Sequence, residues 1–264
     1  MNFAMKLNFI LHQSDSTSPN LPIILIHGLF GNLDNLSMLG RDFQKHHDVI
    51  QLDLRNHGLS PHSPEMNYFA MAQDVSELLD QLDQLKMEKV IIIGHSMGGK
   101  VAMTMTALIP EIIKMLVIID IAPVVYPLDR HNQIFMALNA VTDAKITQRH
   151  MAGKLMRDFV KDENIILFLL KSFHEGIWRF NVPVLWDQYQ YIAGWEPIPT
   201  WQGPLLFLCG ALSPYIKREY REQIAGYFPI ARSHVISGCG HSPHAEKPDV
   251  VLRAIQHFFS KILH

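Results

Sequence analysis

One short stretch, "VIIIGHSMGGK" over residues 90–100, constrains the fold more than any other part of this sequence. Four apolar, mostly β-branched residues run directly into Gly-His-Ser-Met-Gly, and a mostly apolar helical pattern follows until Pro110. This order predicts a buried strand, a tight turn and a helix, with Ser96 in the turn. The flanking glycines leave room for a strained central residue whose hydroxyl stands above the sheet. Ser96 is therefore the predicted nucleophile, and a packing turn is the alternative.

Short apolar runs that are typical of buried parallel strands alternate with helical patterns along the chain. The predicted strands are residues 22–27, 49–53, 90–94, 115–120, 204–210 and 234–241. Apolar spacings of three and four predict a helix over residues 68–85, with the face Phe69, Ala72, Val75, Leu78, Leu79, Leu82 and Leu85. From about residue 123 to residue 203 helical patterns dominate and no clear strand is predicted. We expect one parallel α/β sheet with a helical insertion before its penultimate strand, rather than two independent domains.

A serine hydroxyl is a poor nucleophile unless a base removes its proton, and the base is expected at a later strand end. His241 follows the last strand pattern and precedes the last helical pattern, which makes it the predicted base. His244 is a second candidate for this role. His95, inside the turn itself, is expected to be a packing residue.

A carboxylate is expected to hold the histidine in its working tautomer. The usual place for it, after the strand that follows the insertion, is occupied by Ser213. Asp120 directly follows four apolar residues, and a carboxylate there is costly to bury without a partner. Asp120 is therefore the predicted acid, with Glu246 and Asp53 as alternatives. A turn or capping role is the other reading of Asp120.

Acyl transfer also needs backbone N–H groups that point at the oxyanion of the tetrahedral intermediate. The residue after the nucleophile, Met97, is expected to supply one. The loop after an early strand, in "LIHGLFGN" at residues 25–32, is expected to supply the other from Leu29. An ordinary turn at the end of the strand is the alternative for this loop.

In this order, the stretches "HGLFG" (27–31), "DLRNHGLS" (53–60), "GHSMGG" (94–99) and "GHSPHAEKP" (240–248) resemble the α/β-hydrolase superfamily over essentially the whole chain. The resemblance implies an α/β fold with a mostly parallel, eight-stranded sheet flanked by helices. It also implies a helical cap inserted between strands six and seven. The corresponding division is a hydrolase core of residues 1–122 and 204–264 and a cap of residues 123–203.

Further runs, such as "HGLFGNLDNL", "MNYFAMAQD", "RHNQIF" and "WRFNVPVLWDQY", resemble the YbfF-type branch of small bacterial esterases. This branch implies a serine esterase for short acyl esters, with acyl-CoA thioesters as further substrates. It implies a triad of Ser96, Asp120 and His241, with Leu29 and Met97 as oxyanion donors. A tyrosine and an arginine line the substrate entrance in this branch, and they match Tyr126 and Arg130. The tryptophan that commonly follows the catalytic histidine is replaced here by Ser242, which removes an aromatic wall beside the substrate.

The cap is expected to set specificity. Arg130 and His131 are candidates for contacting a carboxylate or a phosphate, or they form a solvated helix start. His95 and Ser242 are weaker candidates for substrate contact. An apolar wall over the nucleophile is predicted from Phe135, Phe173, Trp178, Trp186 and Tyr189, each of which is also a candidate for the cap core.

Bulk composition limits the other functions. The formal net charge is −2, so the chain has no excess of positive charge with which to bind nucleic acid or an anionic membrane. No apolar run is long enough for stable membrane insertion, and the two cysteines make no disulfide framework, so a cytoplasmic protein is expected. We expect a small-molecule acyl ester or thioester as substrate, no metal and no cofactor; the oligomeric state is open. A carbon–carbon bond hydrolase and a cofactor-free haloperoxidase remain alternatives, and a non-catalytic binding protein is a further one.

Overall fold

The computed structural model describes residues 5–82 and 88–263. Its strands are β1 (Phe9–His12), β2 (Asn20–Ile26), β3 (His47–Leu52), β4 (Val90–His95), β5 (Ile113–Ile119), β6 (Phe173–His174), β7 (Ile177–Trp178), β8 (Leu205–Gly210) and β9 (Arg232–Ile236). Seven of them form one sheet in the order β1-β3-β2-β4-β5-β8-β9, in which only β1 runs antiparallel to its neighbour. All six predicted strands have a counterpart in this sheet, but the last, predicted over residues 234–241, is observed only over Arg232–Ile236.

The strand count corrects one expectation. The described part of the chain has a main sheet of seven strands, not the eight that the resemblance implied. Counted over the described strands of the sheet, the helical insertion lies between the fifth, β5, and the sixth, β8, where the resemblance implied strands six and seven. The eighth strand came from the resemblance alone, because the sequence itself contains only six clear strand patterns. The seventh strand, β1, is a short edge strand of four residues that those patterns did not reveal.

The helices are α1 (Ser37–Phe43), α2 (Tyr68–Gln81), α3 (Met97–Leu108), α4 (Asn132–Asp143), α5 (Arg149–Met156), α6 (Glu163–Leu170), α7 (Val182–Asp187), α8 (Tyr189–Ala193), α9 (Arg221–Tyr227), α10 (Pro243–Glu246) and α11 (Pro248–Ser260). None of the described helices is both long and apolar enough to span a bilayer. The predicted apolar face of α2 is buried from Ala72 to Leu82, whereas Phe69 is partly exposed and Leu85 lies outside the described residues.

Both faces of the sheet are covered, as continuous apolar strands require. Along β2, Ile24 and Ile26 pack into a core shared with α2 and α3, while Ile23 and Leu25 pack into a second core beneath α1 and α11. The loop after β3 is joined to α2 by a buried ion pair, in which the Arg55 guanidinium contacts both carboxylate oxygens of Asp74 at 2.7 and 2.8 Å.

We use the name cap segment for residues 123–203, which connect β5 to β8. This segment holds α4 to α8, as the helical patterns predicted, and it also holds the two-residue strands β6 and β7. The expectation that it contains no strand was therefore wrong. The hairpin is short because only two residue pairs join, Phe173 with Trp178 and His174 with Ile177. The division of the chain into core and cap domains stays a prediction.

Candidate active site

Ser96 lies in a strained turn between β4 and α3. Its φ is 52° and its ψ is −121°, a backbone region that non-glycine residues rarely adopt. The turn is tightly packed, because a Cβ on Gly94 would lie 2.3 Å from the Gly98 carbonyl oxygen, and a Cβ on Gly98 would lie 2.3 Å from the Ile26 oxygen. The two glycines thus allow the close approach that places Ser96 at the carboxyl end of the sheet.

Sheet register brings Asp120 to the same edge. His95 pairs with Ile119 across β4 and β5, so Ser96 and Asp120 each begin the loop after neighbouring strands. Asp120 is fully buried and also has a positive φ, of 55°. Its carboxylate accepts hydrogen bonds from the Gly210 N–H at 2.9 Å and from the Ser213 hydroxyl. These donors offset the cost of burying a charge.

His241 bridges Ser96 and Asp120. Its Nδ1 lies 2.7 Å from Asp120 Oδ2, and its Nε2 lies 2.8 Å from Ser96 Oγ. An ionised carboxylate only accepts hydrogen bonds, so Nδ1 carries the proton and the lone pair of Nε2 faces the serine hydroxyl. The three residues predicted separately from the sequence are therefore joined by two hydrogen bonds, in the order that proton removal from Ser96 requires.

Two neighbours fix the orientation of His241. The Tyr215 ring stacks on the His241 ring with centroids 3.8 Å apart and planes inclined by 17°. The Nε2–H of His95 donates to the His241 backbone oxygen at 2.9 Å. His95 is buried, as expected for a packing residue, and burial holds its pKa well below the usual value.

None of the alternative acids or bases joins this arrangement. The Glu246 carboxylate accepts the Gly240 N–H, and Asp53 accepts backbone N–H groups of two loops. The His244 ring packs 4.4 Å from the His95 ring, and burial lowers the pKa of His244 to about 3. His244 Nδ1 has no hydrogen-bond partner among the described residues.

The predicted oxyanion donors line a cavity together with Ser96. Leu29 follows β2 and Met97 begins α3, and neither N–H makes a hydrogen bond within the described ranges. The loop that carries Leu29 runs directly against the turn that carries Ser96, because a Cβ on Gly28 would lie 3.1 Å from the Ser96 Cβ. Both N–H groups thus belong to backbone that borders the Ser96 hydroxyl.

Two neutral histidines hold the loop of Leu29. The His27 Nδ1–H donates to the Gly28 oxygen at 2.7 Å, and the Phe30 N–H donates to His57 Nε2 at 3.2 Å. Burial lowers the pKa of His27 to about 4 and that of His57 to about 3. Both rings are therefore uncharged near neutral pH, with one nitrogen free to accept.

The cavity over Ser96 is small. Its volume is only about 30 Å³, which is room for one or two water molecules. Its cap wall includes Tyr126, Arg130 and Tyr189, so the two entrance residues implied by the resemblance lie along it.

Arg130 is held between aromatic rings. Its guanidinium carbon lies 4.3 Å from the centroid of Tyr215 and 5.1 Å from that of Tyr126, and its buried Nε has no hydrogen-bond partner within residues 5–82 and 88–263. His131 lines the same cavity and contacts the Tyr189 hydroxyl at 2.5 Å. Burial lowers the pKa of His131 to about 3, so it is a neutral contact rather than a cation.

The other predicted contact residues lie elsewhere. Trp186 is 48% exposed and packs edge-on against Phe135, which is itself buried in the cap. Phe173 and Trp178 pack against each other in the β6–β7 hairpin. Neither these four residues nor His95 and Ser242 are among those that line the cavity.

Lys100 was missed in the sequence. It is 1% exposed, lines the cavity and donates to the backbone oxygens of Val124 at 2.8 Å and Gly194 at 2.6 Å, with Ala193 at 3.3 Å. Burial lowers the pKa of its ammonium to about 7. A single charge within an otherwise apolar helical pattern was the available signal. Tyr215 had no comparable signal, because its stacking on His241 depends on the loop after β8.

Comparison with known proteins identifies consistent relatives. Residues 22–248 match the model of the alpha/beta hydrolase fold family. The chain is 54% identical to the esterase YbfF of Escherichia coli (strain K12) over 256 residues, which covers 97% of this chain and 100% of that protein. It is 43% identical to a putative esterase/lipase of Haemophilus influenzae, over 97% of this chain and 88% of that one. A solved marine microorganism esterase superposes with a TM-score of 0.87 at 32% identity, over 96% of this chain and 99% of that one.

Proposed function

Since this chain belongs to the α/β-hydrolase family and to its YbfF-type esterase branch, we propose that it hydrolyses acyl esters as a serine carboxylesterase. The observation that carries the proposal is the pair of hydrogen bonds of His241, at 2.8 Å to Ser96 Oγ and at 2.7 Å to Asp120 Oδ2. A hydroxyl, an imidazole and a carboxylate in this order are the arrangement that activates a serine for attack on a carbonyl.

In the proposed reaction, Ser96 Oγ attacks the carbonyl carbon while His241 Nε2 takes the hydroxyl proton. The negative charge that develops on the carbonyl oxygen is stabilised by the N–H groups of Leu29 and Met97. His241 then donates its proton to the leaving oxygen, and the alcohol departs to leave an acyl-Ser96 intermediate. Water, deprotonated by His241, releases the acid and restores the serine.

Asp120 contributes by stabilising the imidazolium that forms in both halves of the reaction. Its negative charge is kept in place by the donors from Gly210 and Ser213, which point at the carboxylate oxygens. Tyr215 supports the same step, because its ring covers one face of His241 and limits rotation of the imidazole.

The substrate that we propose is a small acyl ester, and we extend the proposal to acyl-CoA thioesters, which the same serine chemistry can cleave. The tightness of the cavity over Ser96 supports a substrate that enters with movement of Tyr126, Arg130 and Tyr189. The expected cytoplasmic location and the expected lack of nucleic-acid partners stay predictions.

The test is a hydrolysis panel of p-nitrophenyl esters with acyl chains of about two to about sixteen carbons, beside the matching acyl-CoAs. It compares the wild type with Ser96→Ala and with Ser18→Ala, a control that removes an exposed hydroxyl. We expect Ser96→Ala alone to lose nearly all activity while its circular dichroism spectrum is unchanged. Activity that persists in Ser96→Ala refutes the serine mechanism.

A fluorophosphonate probe separates the alternatives. If the wild type is labelled at Ser96 but hydrolyses none of these substrates, the site is assembled and the substrate class is wrong. The carbon–carbon bond hydrolase and haloperoxidase alternatives are then favoured. If the probe fails to label Ser96, the assignment of the three residues itself is wrong.

A further inference from the structure

The geometry points to His57 as a positioning residue, one that orients the Leu29 N–H toward the oxyanion by accepting the N–H of Phe30. This inference rests on the proposed function, because it assigns a role within the same acyl transfer. His57 lies in the loop after β3, within "DLRNHGLS", and is fully buried.

The two peptide groups that flank Leu29 are each anchored by an imidazole. The peptide that contains the Leu29 N–H ends in the Gly28 oxygen, which accepts from His27. The next peptide contains the Phe30 N–H, which donates to His57 Nε2. Peptide groups are planar, so fixing both leaves Leu29 little freedom to turn its N–H. His57 thus holds the peptide group after Leu29, whereas His27 holds the peptide group before it.

The tautomer of His57 is set by a second contact. Its Nδ1 lies 3.0 Å from the Arg55 carbonyl oxygen, which only accepts, so Nδ1 carries the proton. Nε2 is therefore left with a lone pair directed at Phe30. The low pKa of His57 agrees with this geometry, because a proton on Nε2 would abolish the acceptor.

Phe30 needs such support. Its φ of 62° is in the left-handed region, where a non-glycine residue is strained unless its surroundings compensate. Its ring packs 5.3 Å from Phe135 and 5.2 Å from Phe180 of the cap segment. His57 also pairs with Phe180 through an isolated backbone bridge. The cap and His57 together hold Phe30 in a conformation that it would otherwise leave.

The test separates the two hydrogen bonds of His57 with a matched pair of variants. In His57→Gln the side-chain oxygen reaches the place of Nε2 and keeps an acceptor for Phe30. In His57→Asn the shorter amide reaches only the place of Nδ1, so the contact to Arg55 is kept and the acceptor is lost. Both variants remove the ring, so both lose similar packing.

We expect His57→Asn to lower kcat by roughly 10²-fold, the order seen when an oxyanion donor is lost, with KM nearly unchanged. His57→Gln is expected to stay within about tenfold of the wild type, because its side-chain oxygen still accepts the N–H of Phe30. Inhibition by a trifluoromethyl ketone, whose adduct carries the oxyanion, is expected to weaken in parallel with kcat. Equal losses in both variants, or losses that follow their melting temperatures, overturn the inference.

Two controls keep the result decisive. Ser96→Ala is measured in the same assay, so the proposed function fails if that variant stays active. Only the role of His57 fails if Ser96→Ala is inactive and His57→Asn matches the wild type. If neither His57 variant folds, ¹⁵N NMR of the wild-type histidines decides. A His57 Nε2 that carries a proton at neutral pH overturns the inference, and a bare Nε2 supports it.

Discussion

The free energy of unfolding is expected to fall steeply when the pH drops from 7 to 5, because several histidines are buried in the neutral form. His27, His57 and His244 are 1%, 0% and 6% exposed. Burial lowers their pKa values to about 4, about 3 and about 3, from an ordinary value of 6.5. Below pH 6.5 the unfolded chain binds protons that the folded protein does not, so acid favours unfolding.

The size of the effect follows from the number of protons. Each proton bound only by the unfolded chain changes stability by about 1.4 kcal/mol per pH unit. These three histidines, together with His95 and His131, whose pKa values burial also lowers, give a slope of roughly 6 kcal/mol per pH unit near pH 5 and a total loss of roughly 9 kcal/mol between pH 7 and pH 5. This loss is comparable with the whole stability of many domains, about 5–15 kcal/mol. Above about pH 7.5 the histidines of the unfolded chain are themselves largely neutral, so these groups contribute little further change.

Urea unfolding followed by circular dichroism at pH 7, 6 and 5 measures this slope. His244→Gln is the informative variant, because it removes one of these buried histidines without touching the proposed triad or oxyanion donors. It is expected to reduce the slope by about a fifth. His150→Gln, which changes an exposed histidine, is expected to leave the slope as it is. A stability that is flat between pH 7 and pH 5, or a slope that His244→Gln does not change, would refute the reasoning.

Further predictions concern the acid, an ion pair and the buried lysine. Asp120→Asn is expected to lower kcat by about 10⁴-fold in steady-state assays. Adding Ser213→Asp to this variant is expected to recover part of the lost kcat, because the Ser213 hydroxyl already contacts the same Asp120 oxygen as His241. Asp74→Ala is expected to cost about 3–5 kcal/mol in urea unfolding, since the Arg55 charge is left buried without its partner. The pKa of Lys100 is about 7 in the folded protein, so between pH 7 and about pH 10 the unfolded chain binds a proton there that the folded protein does not. The free energy of unfolding of the wild type is therefore expected to rise by up to about 1.4 kcal/mol per pH unit relative to Lys100→Met, measured by urea unfolding.

Much of the sheet and of the candidate site was predictable because these parts depend on residues that are contiguous in the sequence. The strand before Ser96 and the glycines around it are contiguous in sequence, and they form the turn that the pattern predicted. Asp120 was predictable because it directly follows a buried strand, next to which the register places Ser96. His241 was predictable because it occupies the boundary between the last strand and the last helices.

The remaining parts depend on contacts between distant segments. Ser213 occupies the position where the sequence pattern led us to expect the acid. In the structure its hydroxyl donates to the carboxylate of Asp120, which lies 93 residues earlier in the chain. The Lys100 ammonium donates to backbone oxygens up to 94 residues away, and the spacing of apolar residues in the sequence cannot predict such contacts. The edge strand β1 was missed because four residues are too few for a pattern to stand out.

The two ends of the cap segment lie side by side. The Tyr126 N–H donates to the Ala193 oxygen at 2.9 Å, and Lys100 bridges the backbone at Val124 and Gly194. Because the two ends of the cap segment are close together, another segment could replace it between β5 and β8 without displacing either strand. Residues 126–193 are thus a ready site for recombination between relatives. A grafted segment would place new side chains over an unchanged Ser96.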